Sequence, residues 1–111
     1  MDSILSSVKT MLGLDPNYTP FDAELIMHIN AVLIVLWQMG VGDEALTITS
    51  DAETWDDLLE DDSRIAIIKS YIYMKVRFIF DPPSGAAKES MQNLLNEYEW
   101  RISVEFGGSD E

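Results

Sequence analysis

Apolar side chains recur at helical spacing from the start of the chain. Ile4, Leu5, Val8, Met11 and Leu12 fall on one face of a short amphipathic helix, with Ser3 or Asp2 placed to cap it and Gly13 to stop it. A turn-rich link, Leu14-Asp15-Pro16-Asn17-Tyr18, follows. Thr19 then stands before Pro20, with Asp22 three positions on, an N-cap, N1 and N3 arrangement that predicts a long helix over about 20–39, ending at Gly40. On a wheel of about 100° per residue, Leu25, Ile29, Val32 and Leu36 share one face. Met27, Ile34 and Trp37 fall on or near the opposite side, beside Asn30 and Gln38. A helix apolar nearly all round is either central in its domain or touches its own core on one side and a neighbouring chain on the other. A bilayer span needs about 20 apolar residues, and the stretch 25–39 is shorter than that and interrupted by His28, Asn30 and Gln38.

The periodicity dissolves over 41–62. Ala45-Leu46-Thr47-Ile48-Thr49 suits a short extended or hairpin-like excursion. Thr54 followed by Trp55-Asp56-Asp57 reads as an N-cap with acids in the first turn, anchored by Leu58 and Leu59. Asp62 or Ser63 opens a further long helix over 64–80, with Ile65, Ile68, Ile72, Val76 and Ile79 on a stripe and Pro82-Pro83 as its stop. Ser84 is placed to cap a last helix whose stripe is Ala87, Met91, Leu94, Leu95, Tyr98 and Ile102, with Glu97 and Arg101 an i,i+4 pair. The expected fold is all-α: a compact bundle of four to five helices with an irregular acidic loop that has room for a hairpin. It forms one domain over 1–106 and a flexible tail over 107–111.

Composition supports one core. A chain of 111 residues buries roughly 65% of its unfolded surface, and with no cysteine it does so without disulfides, thiolate nucleophiles or cysteine-based metal sites. The N-terminus carries no continuous apolar run of signal-peptide length. The formal net charge of -13 repels phosphate, which argues against nucleic-acid binding through a basic face and for a protein partner with a basic patch. His28 is the only histidine, with no metal-ligand neighbour and no nucleophile elbow nearby. The acids Asp56, Asp57, Glu60, Asp61 and Asp62 lack the alternating ligands and central glycine of a calcium loop. No glycine-rich phosphate loop occurs, so no enzyme activity, metal or cofactor is expected.

Charge is also unevenly spread. Nine acids and no base lie within 43–62, whereas Arg64, Lys69, Lys75 and Arg77 lie within 63–80 with no acid between them. Either the two segments compensate within one chain, or the acidic segment of one subunit faces the basic helix of the next, a heterologous contact able to close into a ring. The candidate subunit interface is accordingly Met27, Ile34, Trp37, Trp55, Asp56, Asp57, Lys69, Lys75 and Arg77.

Several stretches in this order resemble the head-tail connector (adaptor) family of tailed bacteriophages. They are Asp15-Pro16 with Tyr18-Thr19 and Phe21-Asp22, His28-Ile29-Asn30, Gln38-Met39-Gly40-Val41-Gly42, Thr54-Trp55-Asp56-Asp57, Tyr71-Ile72-Tyr73-Met74-Lys75-Val76-Arg77 running into Phe80-Asp81-Pro82-Pro83, and Glu99-Trp100-Arg101. The resemblance implies a non-catalytic virion protein, made in the host bacterial cytoplasm and located at the head-tail interface. Its subunits would form a ring, dodecameric in the virion, between the portal protein and the stopper or tail-completion protein. DNA would pass through the lumen as cargo, with no membrane involved. It also implies portal docking by the C-terminal stretch, here Trp100, Arg101, Val104 and Phe106. An acidic segment lining the channel would repel the DNA backbone. The competing readings are an acidic protein-binding regulator and a DNA-mimic inhibitor of a nucleic-acid-binding protein.

Overall fold

Ser3 caps the first helix, its hydroxyl accepting from the Ser6 N–H at 3.2 Å. This computed structural model describes residues 3–42, 44–60 and 63–107. The helices are α1 (Ile4–Met11), α2 (Asp22–Gln38), α3 (Trp55–Leu58), α4 (Ile65–Phe80) and α5 (Ala86–Ile102), and α5 runs into a π-helical turn over Ser103–Gly107. Among the described residues there is no strand, and a single antiparallel bridge joins Ser3 to Thr54. The fold is all-α, as the periodicity predicts. Of the expected tail, Gly107 belongs to the π turn and 108–111 lie outside the described residues.

α4 is the hub, packing on α1, α2 and α5, while α2 also packs on α1. Its fully buried Ile68, Ile72 and Val76 join Leu25, Ile29, Leu33 and Leu36 of α2 and Ile4 and Val8 of α1 in one core. Each such side chain contributes roughly 1.5–3 kcal/mol on burial. Trp55 closes the far side: its indole Nε1–H donates to Ser7 Oγ at 3.1 Å, and the Ile4 N–H donates to the Glu53 carbonyl at 3.0 Å, so α3 is tied to the start of α1. The whole measures 44 × 36 × 21 Å.

Three local expectations are corrected. Residues Thr19 to Phe21 form a turn and α2 begins at Asp22, because the Asp22 carboxylate accepts from Lys9 Nζ at 2.8 Å and does not reach back to cap Thr19. α5 is preceded by Gly85 at a φ of 62°, with no side-chain cap from Ser84. That left-handed backbone turns the chain after the two prolines and suits a residue without Cβ. The excursion around Ile48 makes no hairpin. The Asn30 side chain takes the place of a pairing strand, accepting from the Ile48 N–H at 2.8 Å and donating to its carbonyl at 3.0 Å.

Candidate interaction surfaces

The outer side of α2 is apolar and open. Met27 is 61% exposed, Ile34 48% and Trp37 45%, while Leu25, Ile29, Val32 and Leu36, on the opposite side of the helix, are buried. Ala31 and Gln38 continue the open face, so it carries no charge along most of its length. Glu24 and His28 flank it, 3.4 Å apart.

Trp55 does not share that exposure. It is 1% exposed and packs inside the core, so its ring has no surface to offer a neighbouring chain. Of the expected interface residues Trp55, Asp56 and Asp57, only the two acids reach the surface. The tryptophan is instead the hydrophobic anchor of a one-turn helix whose acids stay outside, Asp57 accepting from the Thr54 N–H at 2.9 Å.

The basic residues in and just before α4 find partners within the chain, on α5, in the π turn, on α3 and in α4 itself. Lys75 Nζ donates to Glu99 at 3.1 Å, and the Tyr71 hydroxyl donates to the same carboxylate at 2.8 Å. Burial, and then the charge of Glu99, push the Tyr71 phenol well above its ordinary value, so it remains a donor. Arg64 pairs with Glu105 at 3.5 Å and lies 4.4 Å over the Phe106 ring. Lys69 lies 5.3 Å over the Trp55 ring. Arg77 donates to the Tyr73 hydroxyl at 3.2 Å. The carboxylates seen to pair with these cations are Glu99 on the last helix and Glu105 in the π turn.

Among the described residues, Glu44, Asp51, Glu53, Asp56, Asp57 and Glu60 make no salt bridge. Glu44, Asp56, Asp57 and Glu60 line an open cleft together with Leu46, Leu58 and Leu59. No group of acids and histidine among the described residues is arranged to hold a metal ion, and Asp61 and Asp62 of the suspected cluster lie outside those residues.

The C-terminal stretch divides. Trp100 is 67% exposed and Val104 is also open, with Arg101 held by Glu97 at 2.7 Å beside them. Phe106 turns inward instead, against the core and under the Arg64 guanidinium. Its backbone crosses the end of α2 so closely that a Cβ on Gly40 would stand 2.7 Å from the Phe106 carbonyl oxygen.

Two features escaped the sequence reading. Lys9 is a buried cation, 2% exposed, donating to Asp22 and to the Pro16 carbonyl, each at 2.8 Å. Its place four residues after Leu5, on the apolar face, was the available signal. The other is a groove between α4 and α5 lined by Ala66, Ile67, Ser70, Glu97, Tyr98 and Arg101, which depends on how two helices meet.

No helix among the described residues is long and apolar enough to cross a membrane. Residues 4–109 match a family described as phage connector protein. No curated protein and no solved structure matches the chain.

Proposed function

Because the chain belongs to the phage connector protein family, we propose that it is a head-tail connector (adaptor) subunit. It assembles with copies of itself into a ring, dodecameric in the virion, seated on the portal protein and continued by the stopper or tail-completion protein. The observation on the molecule that carries this reading is the open, uncharged face of α2 around Met27 and Ile34. Apolar side chains exposed together in this way mark a surface that another chain covers. The role is structural.

Within that role the faces divide their work. The α2 face joins subunits. Trp100, Arg101 and Val104 dock on the portal, an exposed tryptophan beside a fixed arginine being the composition of an interface anchor. The carboxylates of the acidic segment, which make no salt bridge among the described residues, face the lumen and keep passing DNA from adhering, their repulsion acting within a screening length of about 10 Å at 0.1 M salt. Each subunit contact is weak, and closure of the ring on the portal supplies the avidity.

The direct test is to mix the protein with its purified cognate portal and determine the mass and symmetry of the product by native mass spectrometry and electron microscopy. A single ring of this chain on one end of the portal is expected, and Trp100→Ala should abolish it while leaving the helical circular dichroism unchanged. A portal that emerges unaccompanied at micromolar concentrations of both would sink the reading.

A further inference from the structure

The ridge on α2 and the groove between α4 and α5 lie on opposite sides of the molecule. On α2, Met27 and Ile34 stand roughly 140–160° round from the buried Ile29. On α4, the Tyr71 and Lys75 side meets α5 through Glu99, which leaves the fully buried Ile68, Ile72 and Val76 for α1 and α2. Ala66 and Ser70, which line the groove, stand roughly 120–160° round from Ile72. The core lies between α2 and α4, so the ridge points out of one side and the groove opens on the other.

Charge selects what can approach these faces. Two copies of a chain with net charge -13 repel one another, so a self-contact needs surfaces free of net charge. The ridge of Met27, Ala31, Ile34 and Gln38 has none. In the groove, Ala66, Ile67 and Tyr98 are apolar or aromatic, and the two charges present, Glu97 and Arg101, neutralise each other at 2.7 Å. The edges then set a register. Glu24 precedes Ile34 by ten residues, about 15 Å along α2. Arg77 follows Ser70 and Ala66 by seven and eleven residues, about 10–17 Å along α4.

We propose that the α2 ridge of one copy seats in the α4–α5 groove of the next, antiparallel to α4, with Ile34 seated between Ala66 and Ser70 and Glu24 near Arg77. The occupant of each face is thus a second copy of this chain. The two faces differ, so every pairing leaves one ridge and one groove free, which is the condition for a ring and not for a symmetric dimer. This inference rests on the ring reading above and names the pair of surfaces that build it.

The cysteine-free sequence allows a test without background. Single variants Ile34→Cys and Ser70→Cys, each at a partly or fully exposed position, are mixed at high protein concentration and treated with a short bis-maleimide. The crosslinked dimer is expected as the main product of the mixture and is lost when either variant is treated alone. A control mixture of Ser50→Cys with Ser90→Cys should stay monomeric. Arg77→Glu should reduce the Ile34–Ser70 product, and Glu24→Arg in the other partner should restore it. Dimers from Ile34→Cys alone would indicate a symmetric contact and overturn the proposal, as would a mixture giving no more product than the control. A correct crosslink with a portal that takes up no ring leaves these surfaces standing and removes the connector role; a ring on the portal without the crosslink does the reverse.

Discussion

At the scale of single residues, a buried cation is the feature that sequence pattern alone reaches least well. Lys9 sits on the apolar face of α1, and a lysine there is ordinarily expected to extend its ammonium into solvent. Here the Asp22 carboxylate and the Pro16 carbonyl meet it inside, pinning the link between α1 and α2. Removing one member of such a pair is worse than replacing the charge by an apolar group, because the remaining charge has lost its partner. Asp22→Ala is expected to lower unfolding free energy by about 1–3 kcal/mol, the upper end being limited because Asp22 is itself partly exposed. Lys9→Met should cost less, and urea titrations of the two variants decide the order. The same difficulty explains Trp55 and Phe106. Sequence identifies them as large apolar residues among polar ones, but the ring of one is received by Ser7 and that of the other by Arg64, partners 48 and 42 positions away.

At the scale of elements, what is local was legible and what depends on another element was not. α1 and α3 follow from their caps and α4 from its apolar spacing, with the Ser3, Thr54 and Pro82 signals at their ends, although Arg64 and not Ser63 stands at the start of α4, without a side-chain cap. The start of α2 moved because Lys9 claims Asp22, and the hairpin gave way to the Asn30 side chain; neither partner is near in sequence. The π turn over Ser103–Gly107 has no sequence signature of its own and is shaped by its seat on the end of α2. Gly40 makes that seat possible, having a φ of 103° and no room for a Cβ against the Phe106 carbonyl. Gly40→Ala is therefore expected to cost about 1–2 kcal/mol from backbone strain alone, with more from the displaced turn. Amide hydrogen exchange over 103–107 should accelerate while that of α4 is little changed. Unaltered exchange across the turn would mean that the junction does not hold it.

At the scale of the whole molecule, the sequence made the charge imbalance plain but not its wiring. Lys75 is paired with Glu99 and Arg64 with Glu105, whereas the described acids of the acidic segment make no salt bridge, so a subunit contact that set that segment against Lys75 or Arg64 would have to break ion pairs already made. This makes the sign of the salt dependence informative. Contacts made of opposite charges weaken as the screening length falls from about 10 Å at 0.1 M to about 3 Å at 1 M. A neutral ridge in a neutral groove is not weakened by that change, and the repulsion between two chains of charge -13 is relieved by it. The exposed Glu24–Arg77 contact is a rim pair worth at most about 1 kcal/mol, too little to reverse the trend. Self-association measured by sedimentation velocity over this range should accordingly rise with salt. A fall would instead assign the contact to the acidic segment and the α4 cations, with Lys69 and Arg77 as its first members because Lys75 is already held by Glu99.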